Sequence, residues 1–196
     1  MSTQYSEIQL DALRELANIG SGTASTALST MLGRSVDISV PNARALPFAE
    51  AVEAAGPQEQ DVTGIVLGIT GDMDGTVLLL VPPADADAMC RMLGVEPDDD
   101  FALSALGEIG NVVGTSYINA LAAMTGMVIE PTPPGTATDM LGAIVQSVLA
   151  GHAHAGDIAL MLDSDLTVEG EDCSISFLLV PEQGGVAELL ARLGLS

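Results

Sequence analysis

One eight-residue stretch occurs twice in this chain, and its recurrence constrains the fold more than any other feature. Asp11-Ala12-Leu13-Arg14-Glu15-Leu16-Ala17-Asn18 is echoed by Ser104-Ala105-Leu106-Gly107-Glu108-Ile109-Gly110-Asn111. Each copy reads as an acidic or hydroxyl residue, a glutamate four places on, and an asparagine three places after that. At 3.6 residues per turn these three positions lie along one side of a helix. Leu13, Leu16 and Gly20 fall on the opposite side, as do Leu106, Ile109 and Val113. Each copy is therefore expected to be an amphipathic helix that buries one side and offers a carboxylate and a carboxamide to water.

The repetition extends beyond the helix. A shift of 93 positions also superposes Ala27 on Ala120, Leu28 on Leu121, Gly33 on Gly126 and Pro41 on Pro134. A looser echo links Leu79-Leu80-Val81-Pro82 with Leu178-Leu179-Val180-Pro181. Units of this length are too long for a solenoid and suit a pseudo-two-fold duplication. The expected organisation is a single domain, 1–196, of two homologous halves, about 1–97 and 98–196. The acidic segment Glu96-Pro97-Asp98-Asp99-Asp100 would join them.

Within each half the periodicity switches from helix to strand. Ser6 or Thr3 can cap a helix from Glu7 to Leu32 that Gly33 stops, and Gly20-Ser21-Gly22 offers a helix-crossing point. Val36–Val40 alternates as a strand and should end at Pro41. A loop to Gln60 follows, with a short helical piece at Phe48–Ala55. Val62–Thr70 and Thr76–Val81 read as a hairpin, and Pro83–Leu93 as a helix. The second half repeats this plan: a helix over Phe101–Thr125, a strand over Met127–Glu130, and a proline-rich break at 131–135. A helix over Asp139–Ala150, strands at Ile158–Leu162 and Cys173–Val180, and a helix over Gly185–Leu193 complete it. Helices beside antiparallel hairpins define an α+β fold of about six strands, in one sheet or two related ones, against two long helices.

Charge removes several function classes. The net charge is -22, and the only basic side chains besides two histidines are five arginines, with no lysine. Such a surface repels phosphate backbones and anionic lipid, so neither nucleic-acid binding nor membrane-surface binding is expected. No apolar run approaches the roughly 20 residues that span a bilayer, and the N-terminus lacks a signal pattern. A cytoplasmic protein is expected, and abundant acid without lysine fits a salt-rich cytoplasm. At molar salt the screening length is about 3 Å, which suppresses self-repulsion. Cys90 and Cys173 occupy unrelated positions, and His152 and His154 in Gly-His-Ala-His-Ala-Gly offer too few ligands for a metal.

The chain carries no phosphate-cradling glycine loop and no nucleophile beside a base. An exposed glutamate and asparagine one turn apart suit a narrower task. A carboxamide both donates and accepts, so it can hold a water in one direction, and a carboxylate can pair with a cation on a docking partner. Together they can aim a hydrolytic water at an electrophile that another molecule supplies, which is catalysis by positioning.

The full pattern is Asp/Ser-x-x-x-Glu-x-x-Asn, then about 22 residues and a proline. Asp11, Glu15, Asn18 and Pro41 fill it once, and Ser104, Glu108, Asn111 and Pro134 fill it again. This doubled pattern resembles the signature of the CheC-type chemotaxis phosphatases (the CheC/CheX/FliY family), in its stand-alone form with two intact motifs. The resemblance implies hydrolysis of the aspartyl phosphate on the response regulator CheY. It implies that Asn18 and Asn111 align the attacking water, and that Glu15 and Glu108 pair with a lysine of the regulator. Asp11 and Ser104 would support the docking face, and Pro41 and Pro134 would set its shape. Magnesium would belong to the regulator, so this chain would need no cofactor or metal of its own. The receptor deamidase CheD is a further partner that the resemblance implies. The alternatives are a non-catalytic CheD-binding adaptor and a flagellar-switch component that senses phosphorylated CheY.

Overall fold

The computed structural model describes residues 6–151, 158–169, 171–182 and 184–195. Thr3, His152 and His154 lie outside the described residues. In chain order the elements are α1 (Glu7–Leu32), β1 (Val36–Pro47), α2 (Phe48–Ala55), β2 (Asp61–Gly71), β3 (Gly75–Val81) and α3 (Pro83–Met92). They continue as α4 (Ala102–Thr125), β4 (Ile129–Pro131), β5 (Gly135–Met140), α5 (Leu141–Gly151), β6 (Ile158–Val168), β7 (Glu171–Pro181) and α6 (Gly185–Arg192).

The strands form one antiparallel sheet in the order β1-β6-β7-β3-β2-β4, with β5 also paired to β2. Among the described residues seven strands are present where about six were expected. The order is set by exchange: β1 leaves α1 and pairs with β6, whereas β4 and β5 leave α4 and pair with β2. The two hairpins, β2–β3 and β6–β7, meet at the β3·β7 ladder in the middle.

Both faces of this sheet are covered, which explains the unbroken apolar runs in its central strands. Val77, Leu79 and Val81 of β3 join Phe177 and Leu179 of β7 in a core shared with α1, α3, α4 and α6. The alternate residues Leu78, Leu80, Leu178 and Val180 pack on the other face with Phe48 and Val52 of α2 and Leu141, Ile144 and Val145 of α5. Helix, sheet and helix therefore make three layers, and both repeated motifs ride on the same outer layer.

Three expected boundaries are corrected. β1 does not end at Pro41 but continues to Pro47, with a register shift between Ser39 and Asn42. The 135–140 segment is neither break nor helix start, because Gly135–Met140 is strand β5 and α5 begins at Leu141. β6 runs to Val168 rather than Leu162. At the edges β1 and β4/β5 a backbone N–H is needed on one side only, so proline is tolerated there. No helix among the described residues is long and apolar enough to cross a membrane.

Candidate functional site on two motif helices

Helix α1 opens on a capping box: the Ser6 hydroxyl accepts from Gln9 N at 3.3 Å, and Gln9 Oε1 accepts from Ser6 N at 2.8 Å. Gln9 Nε2 also donates to the Leu195 carbonyl at 2.8 Å, fixing the head of the helix to the end of the chain. Burial of Leu13, Leu16, Ala17, Gly20, Ala24 and Leu28 sets the rotation of the helix. Asp11, Glu15 and Asn18 are consequently exposed. Asp11 is paired with Arg14 one turn on, an exposed pair of small energetic weight. The Glu15 and Glu108 carboxylates make no ion pair among the described residues. They are left available to a cation from outside.

At the end of α1, Val36 N donates to Ser29 Oγ and Ile38 N donates to Ser25 Oγ, each at 2.9 Å. These two bonds lay the start of β1 along the helix. Pro41 then falls at the register shift of β1.

Helix α4 lies closer to the sheet than a helix with ordinary side chains could. A Cβ on Gly110 would come within 2.6 Å of Ile65, and one on Gly114 within 3.0 Å of Leu67, both on β2. Leu106, Ile109 and Val113 are buried, so Ser104 and Glu108 face outward and Asn111 is half-buried. A cleft of about 330 Å³ lies here, lined by Leu103, Ser104, Gly107, Glu108, Pro134 and Thr136. Three residues of the second motif, 30 positions apart at the extremes, thus share one concavity. Thr136, on β5, was not singled out from the sequence. In the sequence it follows a proline-rich break, and only the pairing of β5 with β2 carries it to α4.

The two motifs are not copies in detail. Thr115 Oγ1 donates to Asn111 Oδ1 at 3.5 Å, a long hydrogen bond that biases the carboxamide. The position equivalent to Thr115 is Gly22, which has open space around it. Gly107, in the cleft beside Ser104, is equivalent to Arg14, whose guanidinium holds Asp11. Thr115, like Thr136, escaped the reading of the sequence, although its spacing of four from Asn111 was visible there. Among the described residues no group of three or more His, Cys, Asp or Glu is placed to hold a metal ion.

Comparison with known proteins places this arrangement. The CheC-like family pattern matches residues 8–43 and again 101–137, two segments that begin 93 positions apart, the same shift that superposes the motifs. CheY-P phosphatase CheC from Bacillus subtilis (strain 168) is 31% identical over 200 residues, covering 97% of this chain and 96% of that protein. Among solved structures, Thermotoga maritima FliY superposes with a TM-score of 0.79 at 20% identity, covering 97% of this chain and 98% of that one. A chain of the CheX–CheY–BeF3–Mg2+ complex from Borrelia burgdorferi superposes with a TM-score of 0.52 at 17% identity, covering 87% and 99%.

Proposed function

The chain belongs to the CheC-like family, and from that premise we propose that it hydrolyses the aspartyl phosphate of phosphorylated CheY. One observation carries the reading. A chain 31% identical along nearly its whole length to a CheY-P phosphatase turns Glu15, Asn18 and Glu108 outward on two helices, with Asn111 half-buried beside them. In this reading Glu15 or Glu108 pairs with a lysine beside the regulator's phosphorylated aspartate, and the motif helix is thereby drawn against the phosphoryl group. Asn18 or Asn111 then holds a water in line with the scissile bond. The water oxygen bonds to phosphorus while the bond from phosphorus to the aspartate oxygen breaks. The carboxylate returns to the regulator, and the water's proton leaves with inorganic phosphate. Magnesium is the regulator's own ion, neutralising phosphoryl charge.

The second motif has the better-formed surroundings, since Asn111 is biased by Thr115 and Glu108 shares a cleft with Ser104 and Pro134. Phosphate release from phosphorylated cognate CheY tests the proposal. Asn18→Ala and Asn111→Ala should each retain part of the activity, with the larger loss for Asn111→Ala. The double variant should fall by about 100-fold, the scale set by losing the aim of a reacting group. A double variant as fast as the parent would remove the positioned-water reading. CheD remains a proposed second partner on the strength of family membership, and co-purification of the two proteins checks it.

A further inference from the structure

Val128 is the most exposed large apolar side chain among the described residues, at 72%, but the next two, on the motif helices, occupy the same place in both copies. Ile8 is 67% exposed and Phe101 is 69% exposed, and the 93-residue shift that superposes the motifs superposes these two residues. Each lies three positions before the first motif residue, Asp11 or Ser104. On a helical wheel each falls within about 20° of the motif glutamate. Ile8, Asp11, Glu15 and Asn18 thus form one stripe, and Phe101, Ser104, Glu108 and Asn111 form the other. Ile19, 40% exposed, closes the far end of the first stripe.

Scattered exposed apolar residues are ordinary and call for no explanation. Recurrence of the exception at one offset in both helices is different, because neither residue serves the packing of its own helix. Phe101 occupies the N-cap position of α4, where a side chain that accepts a hydrogen bond would be the local choice, and it makes no capping bond. A second copy of this chain is a poor occupant: the stripes carry Glu15 and Glu108, which make no ion pair among the described residues, and two molecules of charge -22 repel.

We propose that Ile8 and Phe101 are docking anchors that insert into an apolar depression on the response regulator, adjacent to the lysine that pairs with Glu15 or Glu108. This rests on the phosphatase reading above for the identity of the partner. The anchor and the carboxylate divide the task. The apolar contact supplies affinity as a desolvated centre, as interface anchors do. The carboxylate supplies register, and the asparagine then meets the phosphoryl group one turn further along. Ile8 and Phe101 are accordingly positioning residues and touch no reacting atom.

The test isolates each site. Phe101→Ser is made in the Asn18→Ala background and Ile8→Ser in the Asn111→Ala background, and hydrolysis of phosphorylated cognate CheY is followed across its concentration. KM should rise about tenfold in each, with kcat at saturation held within about twofold. Phe101→Leu should recover most of the loss, and the KM effect should persist at high KCl, where a purely charged contact would be screened. Both side chains are exposed, so thermal midpoints should match the parent. An unchanged KM in correctly folded variants overturns the proposal. Titration of beryllofluoride-loaded CheY into the parent and the same variants separates the two readings. Equal affinity for parent and variants sinks the anchors alone, whereas a parent that neither binds nor hydrolyses sinks both readings together.

Discussion

At the scale of single residues, the side chains that matter for folding and those available for chemistry separate cleanly by environment. Tyr117 is 3% exposed, and among the described residues neither its buried hydroxyl nor that of Ser164 close by has a hydrogen-bond partner. Burial pushes the Tyr117 phenol above its ordinary value, opposed by the nearby Ser164 hydroxyl. Burial likewise pushes the Cys173 thiol up to about 11, reinforced by Asp85, Glu171 and Asp172. Both groups keep protons in the fold that the unfolded chain gives up, so stability should fall as pH rises from about 9 towards 11. Tyr117→Phe should soften that decline and leave stability near neutral pH unchanged or higher by about 1 kcal/mol, because it removes an unsatisfied buried hydroxyl. Urea denaturation across the pH range checks both expectations, and a loss of stability in Tyr117→Phe would show that the hydroxyl is bonded after all. The motif side chains were legible in the sequence because helical spacing alone separates Glu15 and Asn18 from Leu13 and Leu16. Thr136 was not, because its place beside the second motif depends on a strand pairing between distant segments.

At the scale of elements, glycine placement decides how closely the motif helices approach their neighbours. Gly20 of α1 lies against the ring of Tyr117 on α4, and an added Cβ there would fall inside the ring's contact distance. Gly20→Ala should therefore destabilise by roughly 1–3 kcal/mol despite alanine's better helix propensity, since α4 cannot yield without lifting from β2. Gly22→Ala, in open space, should stabilise modestly. A chemical denaturation midpoint that moves equally for both would refute this account of the crossing. The expected crossing point at Gly20-Ser21-Gly22 is thus realised at its first residue and not at its last. Long helices and central strands were readable because their apolar patterns are continuous. The ends of β1 and the existence of β5 were not, because Pro41 and the proline-rich 131–135 run read locally as breaks, whereas β1 carries Pro41 at a sheet edge that tolerates it and β5 starts directly after Pro134.

At the scale of the whole molecule, charge and topology act in different directions. A net charge of -22 with only five arginines opposes compaction in dilute buffer, and among the described residues four of those arginines are engaged with nearby acids. We expect the unfolding midpoint to climb steadily as KCl is raised from low to molar concentration, as self-repulsion is screened. A midpoint independent of salt would remove the reading of a protein suited to a salt-rich cytoplasm. The crossed pairing of β1 with β6, and of β4 and β5 with β2, has a bearing on heredity as well. Neither motif helix keeps its own strand beside its own hairpin, so a gene that lost one half would strip the survivor of the sheet edge beneath it. Under the function proposed above, a lineage moving from two centres to one is therefore confined to rewriting side chains such as Asn18 or Asn111, while the silent helix stays on as scaffolding.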